Sequence, residues 1–326
     1  MKNVHEQESG IALIAVLCMI LTASLLVASA VTLSQYSALE TVTFCSYGSS
    51  FYTAESAANR ARWMIMIDKK RFTNRALGVA DSAVNGRWMA DSMPHRMLIN
   101  GIPVEVSVED AASGINLVGN KPSQEMRGFM QKYFMDSTGR DAFTAICDQL
   151  DLYCDPNSLV RSGGGIQQDY MQRGLFNMPR MAPMQFREEA YYIPGIARRY
   201  PPDSIGRLRI FNVLPFGFMR RIMSRPNLFS APLSMIKDRC QLSTEETAQL
   251  ANGLRLWRIN RIPLKNSIDG MLMGKLLGQF SDRESGFFSI IVKTASAKSP
   301  GTTLNCTFCP DSTKPPLTEY YNYTFY

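Results

Sequence analysis

Residues 8–40 read ESGIALIAVLCMILTASLLVASAVTLSQYSALE, with no charged side chain between Glu8 and Glu40. At 1.5 Å per residue, Ile11 to Leu33 alone is long enough to cross the roughly 30 Å hydrocarbon core of a bilayer as one helix. A cleaved secretory signal has an apolar region of about 7–15 residues, so this run is too long for one, although LLVASA has the small-residue look of a cleavage site. A plain single-pass anchor satisfies the same hydropathy. Gly10 stands out because it closes a short polar leader, MKNVHEQES, directly before the apolar run.

The apolar pattern continues past the membrane. Tyr47, Phe51, Ala54, Ala58, Ala61 and Ile65 recur at helical spacing, while Glu55, Arg60 and Arg62 take the other face. One helix therefore leaves the bilayer carrying a narrow apolar stripe. Such a stripe packs either on a domain of its own chain or on neighbouring helices.

The chain has 326 residues and a formal net charge of +7. About 250 residues follow the helix, enough for one large domain or two modest ones. Basic residues gather at Lys69, Lys70 and Arg71, and at Arg255, Arg258 and Arg261; a solvated helix face accounts for each as well as a binding patch does. Of seven cysteines, Cys18 lies in the apolar run. Cys147 and Cys154 are spaced to close a small loop in an oxidising compartment. Cys306 and Cys309 form a lone CxxC, read as a structural clip or two free thiols, with a metal half-site or a redox pair as alternatives. The two histidines, His5 and His95, are far apart, and no Ser/His/Asp set, metal cluster or nucleotide loop is visible. The sequence is read as that of a non-enzyme.

Further along, RMLI-NG-IPVEVSV (96–108) places Asn100-Gly101 between two apolar runs, the signature of a type I′ hairpin turn. VEDAASGINLVG (108–119) follows, and then helical spacing appears over Gln124 to Met135 and Asp141 to Leu152. The second of these helices ends in ICDQLDLYCDPN, where Asp148, Asp151 and Asp155 bring three carboxylates close in sequence. An EF-hand would need Gly at the sixth loop position and Glu at the twelfth, and neither is there, so solvated acids near a helix end are the plainer reading. Gly163-Gly164-Gly165 is read as a hinge, since no Lys-Ser/Thr follows it. Gly174 to Pro183 reads as an extended surface loop. FREEAYYIPGI (186–196) holds Glu188 and Glu189 on different faces. GRLRIFNVLP (206–215) repeats the strand pattern of residues 113–119. Helices are expected at Leu233 to Arg239 and Thr244 to Ile259, the latter opened by the capping box Ser243-x-x-Glu246 and ended by Arg261-Ile-Pro. Gly286 to Ala295 reads as a strand. The tail from Lys298 is rich in Thr, Pro and Tyr and is read as a short extra hairpin or an unfolded end.

A leader ending in Gly10, followed by a membrane helix continuous with an amphipathic one, resembles the type IV pilin and type II secretion pseudopilin superfamily. Most members carry Glu at the fifth position after cleavage and Phe at the first; this chain has Ala15 and Ile11. Absence of that Glu is a feature of the minor pseudopilin K family (general secretion pathway protein K). Order along the chain supports the resemblance. Glu109, Asp110, Gly114, Ile115, Asn116 and Leu117 match an acidic pair followed by Gly and Ile-Asn-Leu-Asn, with Val118 in place of the second Asn. Asp148 and Asp151 match an Asp-x-x-Asp pattern, with Gln149 where Trp is usual. Glu188, Glu189, Pro194 and Gly195 match Glu-Glu followed by Pro-Gly, Asn212 and Pro215 a second strand motif, and Ser285, Phe287 and Phe288 a late Phe-containing strand.

The resemblance implies an α+β, pilin-like fold: a long N-terminal helix plus an antiparallel sheet, with a large all-α insertion. The division expected is a prepilin leader over 1–10, the helix over 11–70, pilin-like parts over 71–119 and 206–300, a mainly helical insertion over 120–275 crossed by a strand motif near 206–215, and a tail over 301–326. It further implies processing between Gly10 and Ile11 by a prepilin peptidase. It implies a place for Ala15 where no amine of a neighbouring subunit needs neutralising, and calcium at Asp148, Asp151 and Asp155. The expected role is that of a minor pseudopilin at the tip of a secretion pseudopilus. Its partners would be other minor pseudopilins and the major pseudopilin, with the body in the periplasm, one helix in the inner membrane and no nucleic acid. A minor pilin of a type IV pilus or DNA-uptake system is the alternative, and a membrane-anchored periplasmic enzyme a more distant one.

Overall fold

The computed structural model describes residues 4–79, 86–117, 119, 121–130, 137–157, 165–203, 206–213, 225–296, 299–310 and 321–325. Helix α1 runs over Val4–Arg71, 68 residues, or about 100 Å. From Ala12 to Cys45 every residue is exposed. Above that point Ser50, Thr53, Ala54, Ala57, Ala58, Ala61, Ile65 and Asp68 are buried, alternating three and four apart as one helix face requires.

That face lies on an antiparallel sheet of order β1-β2-β5-β6-β7. Strands β1 (Pro94–Ile99) and β2 (Ile102–Asp110) form the expected hairpin. Asn100 and Gly101 have φ of 50° and 79°, the double left-handed geometry of a type I′ turn. In β2, Val104, Val106 and Val108 point inward and alternate with the less deeply buried Glu105, Ser107 and Glu109. With Ile290, Val292, Leu304 and Cys306 they pack against the alanines of α1. Alanine side chains let the helix approach the sheet closely.

Strand β5 (Phe288–Ser296) pairs with β2 from Val104↔Thr294 to Asp110↔Phe288, although residues 111–287 intervene. Those intervening residues supply most of a second core. Its helices are α2 (Ser123–Met130), α3 (Ser137–Cys154), α4 (Gly165–Gln172), α5 (Ile196–Arg199), α6 (Leu233–Cys240), α7 (Thr244–Asn260) and α8 (Gly270–Gln279), with 3-10 turns at Arg187–Tyr192 and Leu264–Asn266. Tyr153, Phe211, Phe229, Trp257 and Phe280 are fully buried there. Ser243 and Glu246 form the expected capping box, at 2.8 and 3.1 Å. The chain is thus α+β, with one long N-terminal helix and a mainly antiparallel sheet.

The repeat at 206–215 lies beside the stretch it repeats. Its described part forms β4 (Phe211–Asn212), which pairs in parallel with β3 (Ile115–Asn116) inside the second core. The described part of the tail takes the hairpin reading and joins it to the sheet. Strand β6 (Ser299–Phe308) pairs along β5, and β7 (Tyr321–Phe325) along β6. Leu304, Cys306 and Phe308 face the core, so the tail completes the sheet. Val118, Gln131 to Met135, Gly163, Gly164, Leu214, Pro215 and Ala297 lie outside the described residues.

Candidate functional site

Three features carry chemical information: the bare part of α1, its junction with the sheet, and a buried polar layer between the two cores. Gly10 and Ile11 lie within α1, whose helical backbone is continuous from Val4, and Ala15 is exposed on it. Thr22, Ser24, Ser29 and Thr32 return their hydroxyls to carbonyls three or four residues back, which satisfies them within the helix itself. At the junction, Ser50 Oγ lies 2.9 Å from Thr294 Oγ1 and 2.6 Å from Thr302 Oγ1. This buried hydroxyl cluster fixes where α1 meets β5 and β6.

The polar layer has three hubs. At the end of α1, Asp68 Oδ1 accepts from Arg87 Nε at 2.8 Å and its other oxygen pairs with Arg75. Arg75 also grips Glu284 and donates to the Trp88 carbonyl at 2.8 Å. Burial pushes the Glu284 carboxyl up, while hydrogen bonds and charge from Arg75 draw it back. The second hub is Asp110, at the end of β2. It accepts from the backbone N–H groups of Ala112 (2.9 Å) and Ser285 (2.7 Å), from Ser285 Oγ (2.5 Å) and from Asn227 Nδ2 (3.4 Å). Burial still holds its carboxyl above the usual range. Neighbouring Glu109 goes the other way: burial raises it, but Arg209 and Arg207 outweigh that, so the net shift is downward.

Asp91 is the third hub and is fully buried. Its Oδ2 accepts from Trp257 Nε1 at 3.1 Å and pairs with Arg261, its Oδ1 accepts from Met93 N at 3.0 Å, and its carbonyl accepts from Arg258 Nε at 3.1 Å. Two members of the basic group at 255–261, Arg258 on α7 and Arg261 just past its end, therefore point into the protein; Arg255 binds Asn252 on the surface at 2.9 Å. His95 stacks on Trp88 with centroids 4.0 Å apart and planes 11° apart, and burial lowers its pKa.

Arg127 lies between two of the acidic candidates, 2.6 Å from Asp148 and 3.7 Å from Asp151. Asp151 accepts from Ser123 N at 3.0 Å and Ser123 Oγ at 2.6 Å, capping α2, and Asp155 accepts from Asn157 N at 2.9 Å. Among the described residues no group of three His, Cys, Asp or Glu is placed to hold a metal ion. Glu188 pairs with Arg187 at 2.9 Å, while buried Glu189 accepts from Gln185 N, Phe186 N and Tyr153 Oη at 2.7, 3.0 and 3.2 Å.

The cysteine pairs are not joined. Cys147 and Cys154 sit two turns apart on α3, about 10 Å along the axis, beyond the ~7 Å Cα separation a disulfide tolerates. Burial raises their thiols to about 11 and about 12. Cys306 is in β6 and Cys309 just past its end, three residues on, about 10 Å away along an extended chain.

Sequence reading missed the three hubs because charged residues are ordinarily assigned to solvent. The one signal was the acidic pair Glu109-Asp110, noticed as a motif with no partner assigned. No protein-family model matches this chain, and no curated protein matches it.

Proposed function

We propose that this chain is a structural subunit of a pilus-like assembly, a minor pseudopilin of the K type. It would be anchored in the inner membrane by α1, with its body in the periplasm and a tip position in a secretion pseudopilus. The observation that carries the reading is the bare length of α1. The uncharged run from Glu8 to Glu40 is about 45 Å long, whereas the hydrocarbon core takes up about 30 Å. Tyr36, Leu39, Val42 and Phe44 expose 72, 66, 67 and 80% of their surfaces beyond the most apolar part. A contiguous apolar surface outside lipid marks a contact with other protein.

The sheet supports the same reading. Its strands lie on the upper half of the same helix, and β2 and β5 are adjacent although the helical segment separates them in sequence. That arrangement is what a pilin-like domain carrying a helical insertion requires. Ala15, in place of a membrane-embedded carboxylate, suits a subunit with no neighbour above it. Other minor pseudopilins, the major pseudopilin and a prepilin peptidase would be the partners, and the chain itself would perform no catalysis.

The test is the N-terminal sequence and mass of the protein isolated from its host's membranes. A mature chain beginning at Ile11, N-methylated, is expected. An intact Met1, or a terminus near Ala30, would overturn the pseudopilin reading.

A further inference from the structure

The face of α1 that packs on the sheet does not stop where the sheet stops. Stepping down from Asp68 through Ile65, Ala61, Ala57, Ala54 and Ser50, the same alternation of three and four residues leads to Tyr47, Thr43, Glu40 and Tyr36. At about 100° per residue these side chains share one stripe. Its upper part is covered by β5 and β6, whereas Tyr36, Leu39, Glu40 and Thr43 are exposed. The bare part is thus the continuation of an interface already built.

Lipid is not its natural cover. The most apolar twenty or so residues, Ile11 to Leu33, fill the hydrocarbon layer, and Leu39 lies about 40 Å up the helix from Ile11. Glu40 is also the sole charge between Glu8 and Glu55. A carboxylate within a covered apolar stripe is costly unless it meets an opposite charge.

We propose that Tyr36, Leu39, Glu40 and Thr43 dock an apolar helix of a different membrane-anchored subunit, which brings one lysine or arginine opposite Glu40. This rests on the assembly reading above and adds the partner's chemistry. A helix is specified because a chain rising from the bilayer beside α1 must satisfy its own backbone. A second copy of this chain does not qualify. From Ile11 to Asn59 it contains no Lys, Arg or His, so a copy at the same depth offers only another Glu40. Bringing Arg60 level with Glu40 would lower the copy by about 30 Å and drive its sheet into the membrane.

The test uses the full-length protein in its host's membranes, with a photo-crosslinking amino acid at Leu39 or, inside the bilayer, at Ala23. We expect a Leu39 adduct to a different protein, mapped by mass spectrometry to a helix containing a Lys or Arg. Glu40→Gln should lower its yield several-fold and Glu40→Lys about tenfold or more. Changing the mapped base to Glu should restore the yield with Glu40→Lys, which excludes misfolding as the cause. A Leu39 adduct indifferent to both substitutions, one formed only with a second copy, or none at Leu39 while Ala23 still crosslinks, would overturn the proposal and leave the assembly reading standing. No adduct at either position would overturn both.

Discussion

Asp91 offers the sharpest test of the polar layer, because one fully buried carboxylate holds a strand-leading segment to helix α7. In Asp91→Ala the Trp257 indole N–H loses its acceptor, a loss of about 1–3 kcal/mol for a buried donor left unmatched. Arg261, with 7% of its side chain exposed, keeps its charge without its partner; breaking a buried pair from one side costs about 3–5 kcal/mol. Part of this relaxes, since the guanidinium still lies 5.1 Å from the Trp257 ring, a cation–π contact. A net loss of about 3–5 kcal/mol follows. With a urea m-value of about 2 kcal/mol per molar, the midpoint falls by roughly 2 M. The assay is urea unfolding of the full-length protein in detergent, followed by tryptophan fluorescence and circular dichroism. Asp91→Asn, which keeps an acceptor for Trp257, should lose less. Asp91→Ala combined with Arg261→Met should recover about 2 kcal/mol of the single-mutant loss, because the stranded charge is gone. An Asp91→Ala protein within 1 kcal/mol of the parent, or a double variant that is simply additive, would refute the account of this hub.

Three further outcomes follow from the same structure. Glu109 and Asp110 should give opposite pH slopes. The raised Asp110 carboxyl contributes stability that is fully present below 3.8 and is lost as pH rises towards its folded pKa; the lowered Glu109 contributes stability present above 4.5 and lost as pH falls. Urea midpoints against pH for Asp110→Asn and Glu109→Gln should each flatten their own limb, and parallel curves for both variants would contradict the assignment. Gly114→Ala should cost about 1–3 kcal/mol by the same measurement, because a Cβ there would lie 2.9 Å from the Ile210 carbonyl oxygen and the Phe211 carbonyl carbon, both backbone atoms; an unchanged midpoint would mean that β3 and β4 are not so close. In native protein, maleimide should label exposed Cys45 and leave buried Cys147 and Cys154 untouched, and identical electrophoretic mobility with and without reductant is expected. Rapid labelling of Cys147 would contradict its burial in α3.

The parts of the fold legible in the sequence are those set by local physics. A charge-free run marked the long apolar part of α1, Asn100-Gly101 marked the hairpin, Ser243 and Glu246 marked the start of α7, and FFSIIVKTA marked β5. The tail was legible only as two open readings, a short hairpin or an unfolded end: TTLNCTF and YNYTF carry Thr, Tyr and Phe that suit a strand, but their Asn residues and the Pro-rich stretch between them do not. Long-range pairing, such as β2 with β5 or Gly114 against Ile210, has no local signature. The buried charges failed for a related reason. Arg258 and Arg261 look like a solvated face until Asp91, far away in sequence, is placed beneath them. The spacing of Cys147 and Cys154 suggested a loop, but the same seven residues in a helix keep two thiols apart.

The distribution of charge along α1 ties these parts together. Above Ser50 the helix is amphipathic, with Arg60 and Lys70 outward and Asp68 held beneath Arg75 and Arg87. Below it, from Ser9 to Gly48, Glu40 is the sole charge to keep any face in water. A helix clamped to its sheet by alanines, by the Ser50 hydroxyl cluster and by Asp68 at its upper end leaves little room for the body to slide along it. The Asp110 and Asp91 hubs extend that attachment to the second core through Asn227, Ser285 and Trp257. Displacing α1 along its axis would therefore carry both cores with it, since sliding would first strand several buried charges and donors at a cost of several kcal/mol. A partner gripping the bare half of α1 would hold the whole molecule through that one helix.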